Sequence, residues 1–157
     1  MTLTREELER AYVRTQEHRG FVIGKSVDIE VKIGVILNLY FTKEQRQNEF
    51  GRKVLDDEYF SFGLKIRILE KINLNLEKKL IEKIGRIKNI RNEFAHKVPG
   101  IIPKPGPISI SFNIDEEDPT KIEDLYMDFI KLVEEVEPEL DKIFNDLIKN
   151  ENEESLG

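Results

Sequence analysis

His18 and His96 are the only histidines in this 157-residue chain and, with cysteine absent, the only side chains whose ordinary protonation changes near neutral pH. Their settings differ. His18 stands between Glu17 and Arg19, just before Gly20, which predicts a solvent-exposed residue at a helix end. His96 closes the run Arg91-Asn92-Glu93-Phe94-Ala95-His96, in a stretch rich in positive charge. On a helix Asn92 and His96, four residues apart, share a face, so the amide can hydrogen-bond the imidazole and fix its orientation. Arg91 is rotated from His96 by roughly 140°. It can join the pair by swinging its long stem around the helix, and a complete cationic pocket is more easily built where two copies of the segment meet across a symmetric interface. That geometry predicts a dimer.

The chemistry open to such a group is metal-independent RNA cleavage. A histidine would take the proton of a ribose 2′-hydroxyl, the oxygen would attack the adjacent phosphorus, and a 2′,3′-cyclic phosphate would remain. A fixed guanidinium suits the charge that the phosphate gains in the transition state. The structural alternative is that Arg91 pairs with a carboxylate while Asn92 and His96 cap a helix end, where the dipole favours basic residues in any case. Other sites find no support. There is no GxxxxGK[ST] or GxGxxG loop, no HExxH and no histidine cluster, so neither a cofactor nor a structural metal is expected. Asp115, Glu116, Glu117 and Asp118 lack the spacing of a calcium loop and read as a solvated turn.

The elements that must position these residues are helical. Thr4-Arg5-Glu6-Glu7 has capping-box spacing, which predicts a helix from Arg5 to Arg19 broken at Gly20. From Phe21 to Phe41, Val27, Ile29, Val31, Ile33 and Val35 alternate with polar residues or glycine as in a strand. The apolar run goes on through Ile36, Leu37, Leu39, Tyr40 and Phe41, about twenty residues in all without a turn signal and beyond ordinary strand length, so a helix is expected. Ser61 caps a third helix, Phe62 to about Ile72, and a fourth starts at Asn73 or Asn75 and carries Leu80, Ile84, Ile87 and Phe94 on one stripe. Pro99-Gly100 ends it, and Pro103, Pro105, Gly106 and Pro107 mark a long loop. The alternation at Ile108, Ile110, Phe112 and Ile114 suggests a short extended piece across 108–114.

Asp118-Pro119 begins a last helix through Leu125, Phe129, Leu132, Val136, Leu140, Ile143 and Leu147, with a kink or restart at Pro138. The expected architecture is one all-α domain over 1–150, an antiparallel bundle of four to five helices, followed by an acidic tail at 151–157 that frays.

The net charge of −6 conceals two opposed blocks. Residues 65–97 hold ten Lys or Arg against four Glu, and residues 113–157 hold sixteen Asp or Glu against four Lys. If they lay on different faces, the first could attract a polyanion such as single-stranded RNA. An acidic chain without helix-turn-helix spacing is a poor reader of duplex DNA. The charged N-terminus and the lack of a long apolar run point to a cytoplasmic protein with no membrane partner.

The segment Arg91-Asn92-x-x-Ala95-His96 resembles the Arg-polar-x-x-x-His signature of HEPN domains, a superfamily of helical bundles that includes ribonucleases, toxins and inactive relatives. Further matches follow the order seen in the mannitol operon repressor family. They are Phe60-Ser61-Phe62-Gly63-Leu64-Lys65-Ile66, the Ile90 to His96 run, Ile110-Ser111-Phe112 and the Asp118-Pro119 helix start, over about Gly20 to Leu147. The resemblance implies a homodimer acting on RNA at a cleft between subunits. In that cleft Arg91 stabilises phosphate, His96 performs acid–base work, Asn92 positions, and Asp28 or Glu30 faces the same space. Such a ribonuclease would be of toxin or defence type with an antitoxin or other regulatory protein as partner, and the resemblance also admits a non-catalytic regulator of gene expression that acts through protein–protein interaction. The proline-rich stretch from Pro99 to Pro107 departs from the repressor-like pattern.

Overall fold

A computed structural model describes residues 5–42, 46–57, 59–72, 74–96 and 119–154. Five α-helices carry the fold: α1 (Arg5–Phe41), α2 (Gln47–Phe50), α3 (Phe62–Lys71), α4 (Lys78–His96) and α5 (Pro119–Glu154), with a π-helical turn, Gly51–Leu55, directly after α2. The all-α expectation holds among the described residues. The loop after His96 and the extended piece expected at 108–114 lie outside them.

The ambiguous segment is helical because its alternating apolar residues divide between two faces. Val22, Ile29, Ile33, Ile36 and Leu37 are fully buried, whereas Val27, Val31 and Val35 are exposed. Residues two apart on a helix point in nearly opposite directions, so one alternation feeds both the core and the surface. Gly20 does not break α1, contrary to expectation. A glycine in a helix costs about 1 kcal/mol. Here the buried stripe beginning at Val22 and tertiary contacts made by Arg14 and His18 hold both sides of it in one helix.

Ser61 caps α3 as expected, its hydroxyl accepting from the Leu64 amide at 3.3 Å. Helix α4 starts at Lys78, later than expected, after Asn75 adopts a left-handed φ of 51° that a continuing helix could not accommodate. Its inner face is Leu80, Ile84, Ile87, Ile90 and Phe94, all buried. Pro138 lies inside α5, which continues through it to Glu154. The proline is exposed while Val136 and Leu140 are buried, so the carbonyl left without its amide partner is on the wet side.

Ion pairs give the topology. Arg14 meets Glu123 and Lys32 meets Asp141, both at 2.7 Å and both 109 residues apart, so α1 and α5 run parallel. Arg86 reaches Asp128 at 3.1 Å and Lys83 reaches Glu135 at 2.7 Å, the order that an antiparallel α4 and α5 require. Helix α4 is therefore antiparallel to α1 as well. The two charge blocks are thus partly spent on each other. The Lys83 hydrogen bond and charge hold the Glu135 carboxyl below its ordinary value. Lys65 of α3, almost buried, bonds Glu30 of α1 at 3.1 Å. The core comprises buried residues of α1, α3, α4 and α5 together with Leu55 of the π turn. Among the described residues no helix is long and apolar enough to cross a membrane.

Candidate functional site at the end of α4

Phe94 and Ile90 anchor the last turns of α4 in the core with no exposed surface. Residues rotated away from that stripe must therefore face outward. Among them, His96, the final residue of the helix, is exposed, and Arg91 and Asn92 are half-buried. Arg91 donates from Nη1 to the Asn92 Oδ1 at 3.3 Å. The amide-to-imidazole bond expected between Asn92 and His96 is not formed. The Asn92 oxygen accepts instead from the Arg91 guanidinium, a charge-assisted bond. Among the described residues His96 makes no hydrogen bond or ion pair, and Arg91 meets no carboxylate.

This changes the geometric argument. Arg91 starts on a different side of the helix from His96, but its bond runs to Asn92, which shares the His96 face. One chain thus collects guanidinium, amide and imidazole along a single edge. A second subunit is no longer required for Arg91 to join that edge.

The acidic candidates on α1 lie elsewhere. Glu30 is committed to Lys65, and Asp28 is exposed on α1. Arg19 of α1 stands at Ala95, so in an antiparallel pair Glu30 sits roughly 16 Å farther from the end of α4. Neither carboxylate joins the edge.

Two contributors escape a reading of the sequence. Arg19 donates from Nη2 to the Ala95 carbonyl at 3.1 Å, supplying one of the partners that the end of α4 lacks. The backbone beside His96 is thereby tied to α1. His18 is the second contributor, and it is not a solvent-exposed residue at a helix end. It lies within α1, its side chain 12 % exposed, and it stacks on Tyr126 of α5 with ring centroids 3.7 Å apart and planes within 6°. Its Nδ1 is 3.7 Å from Glu123 Oε2, while the other Glu123 oxygen accepts from Arg14 at 2.7 Å. Phe21 meets the same tyrosine edge-on at 5.9 Å. The signal was present in the spacing, because His18 lies four residues before Val22 and eleven before Ile29 on one helical stripe. Reading Gly20 as a break concealed it.

Chemically, the α4 edge offers an exposed imidazole and a guanidinium that spends one of its five donors among the described residues. That set suits an anionic ligand with a transferable proton. Among the described residues no group of three or more His, Asp or Glu side chains is placed to hold a metal ion. The chain matches no family model, no curated protein and no solved structure.

Proposed function

We propose that the chain is a metal-independent ribonuclease of the HEPN type, working through Arg91, Asn92 and His96. One observation carries the reading. Among the described residues Arg91 is held by an amide and meets no carboxylate, so its positive charge is oriented there without being neutralised, on the face that bears His96. This is the opposite of what a purely structural arginine at a helix end would show, and it contrasts with Arg14, Lys32, Lys83 and Arg86, each paired with an acid.

In the proposed reaction the neutral His96 imidazole accepts the proton of a ribose 2′-hydroxyl. A bond forms between O2′ and phosphorus, and the bond from phosphorus to O5′ breaks. The departing oxygen takes a proton from the imidazolium or from water, leaving a 2′,3′-cyclic phosphate and a 5′-hydroxyl end. Arg91 stabilises the additional charge on the non-bridging oxygens. The resemblance of Arg91-Asn92-x-x-Ala95-His96 to the superfamily signature supports the same roles.

The test is incubation of purified protein with single-stranded RNAs in EDTA. Cleavage to cyclic-phosphate ends is expected, with His96→Ala lowering the rate by about 10²–10⁴-fold. Arg91→Lys is expected to fall well below wild type, because an ammonium replaces neither the planar fork nor its bond to Asn92. An inactive wild type across a broad RNA panel, or an unaltered His96→Ala, would remove the proposal.

A second reading is favoured by the apolar outer face of α1, where Val13, Val27, Val31 and Val35 stand exposed. It is a non-catalytic regulator, similar to the mannitol operon repressor family, that acts through protein contacts. On that reading His96→Ala leaves partner binding unchanged.

A further inference from the structure

The basic residues of α4 divide by flank. Lys83 and Arg86, which face α5, are each bound to an acid, Glu135 and Asp128 respectively. Lys88 and Arg91 lie on the opposite flank, and among the described residues neither meets a carboxylate. Helical rotation puts Asn92 and His96 on that same flank. The acids of α4 are turned away from it, Glu82 and Glu93 standing roughly 120° and 140° around the helix from Lys88. An ordinary solvated face intersperses both signs. This one carries positive charge alone along α4.

Arg19 of α1 adds a third cation. Its bond to the Ala95 carbonyl uses one of its five donors, and because a carbonyl brings no formal charge, the guanidinium is positioned without being neutralised. Ala95 follows Lys88 by seven residues, close to two helical turns. Arg19 and Lys88 therefore mark the two ends of a line about 10 Å long, with Arg91 between them.

Two contacts set up this line. The Lys88 stem lies along α3 at Gly63, where a Cβ would sit 3.9 Å from Lys88 Cδ, so the head of α3 directs the side chain. Glu30 shares the Arg19 side of α1, eleven residues on and about 20° around the helix. It is held by the almost buried Lys65 at 3.1 Å. An acid that could compete for these cations is thereby occupied.

We propose that Arg19, Arg91 and Lys88 form a track that holds consecutive phosphates of a single-stranded RNA and leads the strand past His96. The inference rests on the reading of Arg91 and His96 as a site for RNA, and it does not require cleavage there. A single strand is gripped by cations repeated along its backbone, and three in a line can engage neighbouring phosphates. Double-stranded RNA is held over a longer span and across two strands, which so short a line does not supply. Guanidinium groups match phosphate oxygens two at a time, and two of the three cations are arginines.

Fluorescence anisotropy of the full chain tests the track, with a short single-stranded oligonucleotide that is fully 2′-O-methylated and so resists cleavage. Three phosphate contacts on a single strand give a slope of log affinity against log salt of about −2. Arg19→Gln and Lys88→Gln should each reduce its magnitude by about 0.7 and weaken binding several-fold at low salt. Arg19→Lys, which keeps the charge, should recover most of the slope. Lys142→Gln, the same loss at an exposed position of α5, should leave it unchanged. Circular dichroism verifies that each variant keeps its helices. Slopes unaltered in Arg19→Gln and Lys88→Gln, or lowered equally in Lys142→Gln, would overturn the proposal. So would tighter binding of a duplex of the same sequence, or release of the strand by polyglutamate at equal charge. Cleavage and binding are separable. A chain that binds through these residues but cleaves no RNA would lose the ribonuclease assignment and keep the track, whereas cleavage with KM unchanged in both variants would do the reverse.

Discussion

His18 and His96 sit beside the two ends of one hydrogen bond, that from Arg19 to the Ala95 carbonyl. Yet His18 is stacked on Tyr126 and faces Glu123, while His96 stands in solvent at the end of α4. The contrast shows that a side chain's surroundings follow from the helical stripe it occupies, and not from its immediate neighbours in sequence. Glu17 and Arg19 flank His18 with charge, yet the stripe that holds Val22 and Ile29 carries it inward. Phe94 and Ala95 lead into His96 with apolar groups, yet the rotation away from Phe94 carries it outward. A histidine that is packed contributes to stability, whereas one left free is available for chemistry.

The largest effect that tests this division is on stability. His18→Ala should cost roughly 1–3 kcal/mol, from the lost ring stack and the space left beside Tyr126. His96→Ala should stay within about 0.5 kcal/mol of wild type, as surface changes do. Parallel urea titrations decide the matter. Equal midpoints for the two variants would erase the distinction between a structural and a free histidine.

A smaller effect separates the stack from the charge. Glu123→Gln removes the carboxylate shared by Arg14 and His18 but leaves the ring stack, and its cost should remain under about 1 kcal/mol. A loss as large as that of His18→Ala would mean that the ion pairs, not the packing, hold α1 to α5 at this end.

The smallest effect concerns pH. The Lys83 bond holds Glu135 below its ordinary value of 4.5, so the folded state binds this proton less readily than the unfolded chain. Its contribution is therefore complete above that value and is lost as pH falls through the lower, folded value. Lys83→Met should flatten the acid limb of the stability curve slightly, by lowering the plateau near neutrality a little while leaving the most acidic end unchanged. An acid limb identical in the two proteins would show that the pair has no energetic weight.

Much of the fold was legible because it depends on local signals of known mechanism. Ser61 at the head of α3, Pro119 at the head of α5 and the stripe from Leu80 to Phe94 are each decided within a few residues. Gly20 was misread because its cost is local while its compensation comes from α5, more than a hundred residues away. The start of α4 depended on a left-handed Asn75, and several polar residues nearby were equally plausible caps. At the site, helical rotation correctly put Asn92 on the His96 face. It did not reveal that Arg91 would bond the Asn92 amide, because that depends on charge and side-chain reach. Arg19 at Ala95 was out of reach of any local signal.

The parallel pairing of α1 with α5 has a consequence for how the chain is made. The contacts from Arg14 to Glu123 and from Lys32 to Asp141 each close a separation of 109 residues. Closing such a loop costs entropy before any contact rewards it, whereas α3 and α4 are neighbours in sequence and can dock early. On the ribosome the first helix emerges long before its last neighbour exists. The flank of α1 that α5 will cover must wait through the synthesis of everything between them. Completion of the fold is thus deferred to the final helix, and truncation within α5 should leave a chain that collapses around α3 and α4 without ever sealing α1.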